Sequence, residues 1–557
     1  MKIQLQSLLF PRSDVCSIPE LYYHRQQDQV IYDGYFNLFY IEKRKKYTEY
    51  EKLWLEIRAK GYTEACLYHD GEELSRIELE PEQEQDYVLE FPYEKYETGC
   101  FWFSLTEVGT EQSLRGMFTG ELSEEKVRSV RIGVDICTFR REHYVCNTLQ
   151  KLQNRILTGP ELDVSDNVEV FVIDNGRTLN QYEPAQNLVT ELGEKLHIIP
   201  NKNAGGSGGF TRGMMEILER KEQSGFTHVL LMDDDAVTEP DTLVRLYGFL
   251  SGLKEEWKHM TVGGSLLREE EPDVLFCAGE WWKDGVTVPG PCSKLNLRNR
   301  DQAACEGLLK AEREHELYSG WWCCCYSLDT VRGDNLPIPF FIHHDDIEYG
   351  IRNRAAGITF LNGVNVWHRD VELSMPGVNM YYDVRNTLIE MALQNTGKNA
   401  AIKRVLRWFA GSIRRLRYQD ASLVCRGIED FLKGCQWLYE QEPEQLHQEI
   451  GKQAHRAVKL QELKCRFSAD EWKTIKMIPI QNRTAVVKHC KSVVLYDEAN
   501  DKAMLFTKDA KQERRLWMRF LNVLLRLEMR YRMCGKAYRG HIGELTNAEA
   551  WKIYLDR

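Results

Sequence analysis

Thr227-His228-Val229-Leu230-Leu231-Met232-Asp233-Asp234-Asp235 decides the fold. An unbroken apolar run ending in acids reads as a parallel strand buried on both faces, meeting solvent only at its carboxyl edge. Side chains alternate along an extended chain, so Asp233 and Asp235 point the same way and suit one hard cation. Open α/β sheets bind ligands at that edge. The same acids also fit a polar stop before a helix opened by Glu239-Pro240-Asp241.

Outward from this strand, the chain alternates strand and helix. Val130 to Cys137, Val168 to Asn175 and His197 to Pro200 read as further strands, with helical stretches between them. Residues 129–375 therefore form an α/β domain with a mainly parallel sheet. Before it, short alternating runs such as Tyr35 to Tyr40, Thr63 to Tyr68 and Cys100 to Leu105 predict a β-sandwich over residues 1–128. After it, residues 376–557 are almost entirely helical in period.

The 557 residues are 43% hydrophobic and 28% charged, as in a globular protein. No stretch approaches the roughly 18 apolar residues of a membrane span. Met1-Lys2-Ile3-Gln4-Leu5 lacks the apolar core of a signal peptide, so a cytoplasmic location is expected. Sixteen cysteines lack Cys-x-x-Cys spacing, and Cys323-Cys324-Cys325 cannot converge on one ion; reduced, buried thiols are expected. A net charge of −11 argues against nucleic acid. Two basic amphipathic stretches stand out. Lys398, Lys403, Arg404, Arg407, Arg414, Arg415 and Arg417 surround Trp408; Arg514, Arg515, Arg519, Arg526, Arg530 and Arg532 surround Trp517 and Leu525. Such stretches suit packed helices with a solvated face, an anionic membrane surface, or contacts in a homo-oligomer.

Three further motifs carry chemistry. Asn203-Ala204-Gly205-Gly206-Ser207-Gly208-Gly209-Phe210-Thr211-Arg212-Gly213 reads as a glycine loop ahead of a helix near Met214, open to close approach by a ligand. It is neither a dinucleotide fingerprint nor a P-loop. His343-His344-Asp345-Asp346 opens a helix, where a carboxylate is held rigidly enough for general-base work. Val364-Asn365-Val366-Trp367-His368 ends a strand in a candidate third metal ligand.

In this order, the elements resemble the galactofuranosyltransferases of the inverting GT-A superfamily, especially the galactan-polymerising ones. The resemblance rests on Thr138-Phe139-Arg140, Asp174-Asn175-Gly176, Asn203 to Gly213, Asp233-Asp234-Asp235, Trp321-Trp322, Phe341 to Gly350 and Trp367-His368. Tyr35-Phe36-Asn37 and Tyr381-Tyr382-Asp383-Val384-Arg385-Asn386 fit the flanking domains. It implies an α/β GT-A domain between a β-sandwich and a helical domain. It also implies metal-dependent, inverting transfer of galactofuranose from UDP-galactofuranose to a growing cell-surface glycan.

By the same resemblance, Asp233, Asp235 and His368 would bind Mn2+ or Mg2+, and Asp346 would be the catalytic base. Arg140, Asp174, Asn203, Gly206 and Asp234 would meet the nucleotide sugar. Trp321, Trp322, Asp345 and Glu280 would meet the acceptor, for which apolar ring faces suit a sugar. A lipid-linked acceptor would bring the enzyme to the cytosolic membrane face. Two alternatives stand: a rhamnosyltransferase with a deoxythymidine diphosphate donor, and a glycan-binding protein whose transferase fold is inert.

Overall fold

The computed structural model describes residues 1–158, 164–304, 316–369, 373, 375–487 and 489–556. At its centre, strands Leu196–Pro200, Val168–Asp174, Ile132–Thr138 and His228–Asp233 lie side by side and parallel. Thr138 is level with Asp174, and Cys137 with Asp233, so the carboxyl ends share one edge. Cys323–Ser327 runs antiparallel beside His228–Asp233, and Thr261–Arg268 follows. Thr261–Arg268 pairs in parallel with Ile358–His368. The result is a mixed sheet whose parallel half is the α/β arrangement expected from the sequence. Along the central strand Cys323 and Cys325 enter one buried cluster and Cys324 another, as strand alternation requires. All cysteines among the described residues are free.

The glycine run differs from expectation. It is not a loop before a helix: the helix itself spans Gly205–Glu219. The glycines let this helix press onto the strand beneath it. A Cβ at Gly209 would lie 2.0 Å from Cys137 Sγ, and one at Gly213 would lie 2.1 Å from an oxygen of Asp135. Close helix–strand packing, rather than loop flexibility, explains the composition.

Residues before the central sheet form two antiparallel sheets. One orders Lys2–Ser7, Ser113–Glu121, Lys52–Lys60 and Gln85–Phe91; the other centres on Cys100–Glu107 and Tyr62–His69. Leu53, Leu55 and Ile57 from the first meet Phe101, Phe103 and Leu105 from the second in a shared core. The Tyr35-Phe36-Asn37 stretch fastens this unit to the central sheet. Asn362 Nδ2 donates to Leu38 O at 2.7 Å, and Gly363 N donates to the Tyr35 hydroxyl at 3.2 Å. Arg245, wholly buried, pairs with Asp241 at 2.6 Å and donates to Phe36 O at 2.7 Å and Asn362 O at 3.0 Å.

Helices Asn379–Leu393, Lys398–Arg414, Tyr418–Phe431 and Ala510–Gly540 share a core of Leu388, Phe409, Val424 and Phe520. The carboxyl-terminal part is less uniformly helical than its sequence suggests. Lys476–Pro479, Ser492–Asp497 and Lys502–Thr507 form a three-stranded sheet. Val493-Val494-Leu495 and Met504-Leu505-Phe506 are short β-branched and aromatic runs on either side of a turn containing Asn500-Asp501, easily lost between long helices. The last helix, Ala548–Asp556, returns to the central domain. There Trp551 is buried with Phe210, Met214 and Trp321, and its indole donates to Pro337 O at 2.8 Å.

Arg245→Leu removes a buried cation and leaves Asp241 charged and unpaired. The expected loss is about 3–5 kcal/mol, read as a lower urea midpoint.

Candidate active site

Asp233 ends its strand, and the short pairing of Val237 with Trp367 and Thr238 with Val366 carries His368 alongside the acids that follow. Ligand atoms of Asp233, Asp235 and His368 lie within 4.8 Å of one another. His368 Nε2 is 3.5 Å from Asp235 Oδ1. Asp234 points elsewhere: it accepts from Thr138 Oγ1 at 2.6 Å and Arg141 Nη1 at 3.1 Å. Arg141 also pairs with Asp235.

These contacts split the titrations. Burial pushes the Asp233 carboxyl up to about 6, against the pull of His368. Burial opposes ionisation at Asp235 too, but bonding to His368 and the Arg141 charge hold it down to about 2. The bond to Asp235 raises His368 to about 9 against its burial. Two hard carboxylate oxygens and an imidazole converging on one point fit a divalent cation such as Mn2+ or Mg2+. The positive charge that His368 otherwise gathers there is the demand such an ion would meet.

Asp345 and Asp346 open the helix Asp345–Asn353. Ser207, on the glycine helix, donates to Asp345 Oδ2 at 2.7 Å, and Asp346 Oδ1 accepts from Ile347 N at 2.8 Å. The turn before them is strained: Phe341, His343 and His344 have φ of 76°, 65° and 73°. Asn386 Nδ2 holds that turn by donating to Ile342 O and His343 O, each at 2.9 Å, and Arg385 donates to Phe340 O. Gly205 lies so close that a Cβ there would sit 2.0 Å from Phe341 O. Burial, then the charges of Asp345 and Glu280, push Asp346 well above the usual carboxylate range. Burial also raises Glu280, which accepts from the Tyr318 hydroxyl at 3.0 Å.

The remaining candidates fall into three settings. Arg140 is exposed at the sheet edge, its backbone at φ 55°, against Gly176. Asp174 is buried and holds its own turn, accepting from Gly176 N at 3.0 Å and Leu179 N at 2.8 Å. Asn203 accepts from Gly205 N at 3.2 Å, and Gly206 faces Asp345. Trp322 is half-buried and donates to Gly264 O at 3.0 Å. Trp321 is buried instead, donating to the Tyr326 hydroxyl at 3.2 Å. Sequence reasoning missed Arg141, Ser207 and Tyr318. Arg141 directly follows the Thr138-Phe139-Arg140 motif and Ser207 sits within the glycine run; nothing in the sequence marks Tyr318.

The family described as glycosyltransferase like family 2 matches residues 130–411, just over half of the chain. The chain belongs to that family. It is 25% identical over 447 residues to the galactofuranosyltransferase GlfT2 of Mycobacterium tuberculosis, covering 74% of this chain and 66% of that protein. GlfT2 of Mycolicibacterium smegmatis is 25% identical over 437 residues, covering 74% and 65%. The chain thus spans just under two thirds of the length of these relatives. Among solved structures, S. aureus TarS 1-349 aligns with a TM-score of 0.32 at 12% identity, over 54% of this chain and 83% of that one.

Asn386→Ala frees the strained turn and lets Asp345 and Asp346 drift. A misplacement near 1 Å costs on the order of 100-fold in turnover. Steady-state transfer kinetics should show that loss in kcat, with donor binding by calorimetry nearly unchanged.

Proposed function

We propose that this glycosyltransferase moves galactofuranose from UDP-galactofuranose to a hydroxyl of a growing cell-surface glycan, inverting the anomeric centre. The observation that carries the reading is that the Asp233–Asp235–His368 cluster at the sheet edge lies close enough to the raised Asp345–Asp346 pair for the Asp345 charge to act on Asp233. Likeness to two galactofuranosyltransferases supports the donor.

Asp346 takes the proton from the acceptor hydroxyl as that oxygen attacks the anomeric carbon. The bond from that carbon to the diphosphate breaks on the opposite face, and UDP departs with the electron pair. A divalent cation held by Asp233, Asp235 and His368 would offset charge on the leaving diphosphate. Asp345, fixed by Ser207, keeps its neighbour's affinity for the proton high. Arg140, Asn203 and Gly206 border the nucleotide, and Asp174 and Asp234 shape its walls from behind. Trp322 and the Glu280–Tyr318 pair border the acceptor, with Trp321 packed behind them. A direct displacement needs no enzyme nucleophile, so none is assigned.

Asp346→Asn keeps the shape and loses the base. Transfer to a synthetic acceptor should fall about 100- to 10,000-fold while UDP-sugar binding persists. In the unaltered enzyme the base works only when deprotonated. Because its pKa is raised, activity should be lost on acidification well above pH 4, where an ordinary aspartate titrates. Wild-type turnover in Asp346→Asn would remove this residue from the chemistry.

Asp235→Ala and His368→Ala each delete one ligand of the cation. Each should weaken the apparent Mn2+ affinity by about 10- to 100-fold in titrations of donor binding. An unchanged titration in His368→Ala would return that histidine to a purely structural place.

A further inference from the structure

A groove of about 790 Å3 lies between the amino-terminal sheets and the central domain. Ligand sites commonly span about 300–1,000 Å3. One wall is the solvent face of the sheet that holds Ser113–Glu121, Lys52–Lys60 and Gln85–Phe91. Along Lys52–Lys60, Leu53, Leu55, Ile57 and Ala59 turn into the core, so Glu56 and Arg58 face outward. The register extends them into two rungs. Arg58 is level with Arg115 and Asp86, and Glu56 is level with Met117 and Val88. All six line the groove, and Val88 is 56% exposed. The central domain supplies Arg155, Pro240 and Val244 to the rest of the lining.

Glu239 lines the same groove. Its side chain is only 4% exposed. One carboxylate oxygen accepts from Arg12 Nη1 at 3.1 Å, and the other has no partner among the described residues. Burial pushes this carboxyl up to about 7, against the pull of Arg12. A buried oxygen without a hydrogen bond is costly, and a hydroxyl carried in by a ligand would remove that cost. A hydroxyl both donates and accepts, so it suits the carboxyl in either protonation state.

Charge narrows the class of ligand. Glu56, Asp86, Glu239 and Asp241 stand against Arg58, Arg115 and Arg155, so neither a polyanion nor a polycation is favoured. The outward ions are also held in place. Arg58 bonds Glu84 at 2.9 Å, and Glu56 bonds Lys2 at 2.9 Å and Thr119 at 2.8 Å. The sheet thus presents fixed donors and acceptors at strand spacing, with Val88 and Met117 apolar between them. A neutral sugar chain matches this surface, since its hydroxyl edges alternate with C–H faces. Glu239 directly follows Val237–Thr238, the short strand paired with Val366 and Trp367 beside His368. The groove is therefore anchored on the segment that leaves the acidic cluster.

We propose that this groove is a second glycan site, separate from the catalytic turn, which holds a neutral linear oligosaccharide by its hydroxyls and so retains the length of acceptor already made. The last clause rests on the transferase reading; the binding of a neutral glycan does not.

Calorimetry on the full chain without donor tests it, with a synthetic linear hexagalactofuranoside as the probe. Arg58→Ala with Asp86→Ala should weaken its binding about tenfold, the effect of losing a hydrogen bond to a charged group. Glu239→Gln keeps an acceptor for Arg12 but loses the second acceptor oxygen, and should weaken binding to a similar degree. If that variant fails to fold, the outward-facing double substitution still decides. A digalactofuranoside, long enough for the catalytic acceptor site alone, should bind wild type and double variant alike. In transfer assays the double variant should keep its kcat and KM for the disaccharide, while KM for the hexasaccharide rises about tenfold. Hexasaccharide affinity unchanged in the double variant would overturn the proposal. So would tighter binding of an acidic hexagalacturonate than of the neutral probe. Hexasaccharide binding that needs Arg58 and Asp86, in a chain that never cleaves UDP-galactofuranose, would instead sink the transferase reading and leave the groove in place.

Discussion

Gathering Asp233, Asp234, Asp235, Asp345 and Asp346 into one half-buried cluster is costly, since a carboxylate drawn out of water must be answered by hydrogen bonds or by opposite charge. Much of the local structure is that answer. Thr138 and Arg141 meet Asp234, Arg141 and His368 meet Asp235, and Ser207 meets Asp345. Asp235 alone of the five is held down; burial leaves Asp233, Asp234, Asp345 and Asp346 raised. In the proposed reaction a cation would relieve Asp233 and a proton would relieve Asp346.

That charge also explains the neighbouring packing. Ser207 reaches Asp345 only because the glycine helix lies flat on its strand, and Gly205, Gly209 and Gly213 remove the side chains that would hold it off. Behind the same helix, Trp551 from the end of the chain fills the space beside Phe210 and Met214. The turn at Phe341 to His344 holds three non-glycine residues at positive φ, each costing about 1–3 kcal/mol. Asn386 and Arg385, on a helix of the carboxyl-terminal region, are the side chains that keep it there.

The parts of the site visible in the sequence are those where local pattern and chemistry coincide. A buried strand must be apolar and its edge must end in polar groups, so Asp233 and Asp235 could be paired before any coordinates. His368 was legible for the same reason, as the polar end of an apolar run. What escaped depends on contacts far apart in the chain. Ser207 and Asp345 are separated by 138 positions and Tyr318 and Glu280 by 38, and a serine or tyrosine carries no local mark of such a partner. The glycine run reads locally as a loop because glycine's preference for loops is local, while the demand of Cys137 and Asp135 for space is tertiary. Trp321 and Trp322 show the same limit. Adjacent residues point oppositely, and only the surrounding core decides that Trp321 is buried while Trp322 stays half-open.

The helical region is therefore part of the catalytic unit rather than an appendage. Its helix Asn379–Leu393 sets the carboxylate turn, and its last helix backs the glycine helix. In the proposed reading the central sheet alone would bind the donor, because Asp233, Asp235, His368 and the edge at Arg140 belong to it. Holding Asp346 against an acceptor would be different, for it follows a strained turn that Asn386 and Arg385 hold. The division of labour follows the energetics: the rigid sheet carries the charge that binds, and the helices carry the strain that positions.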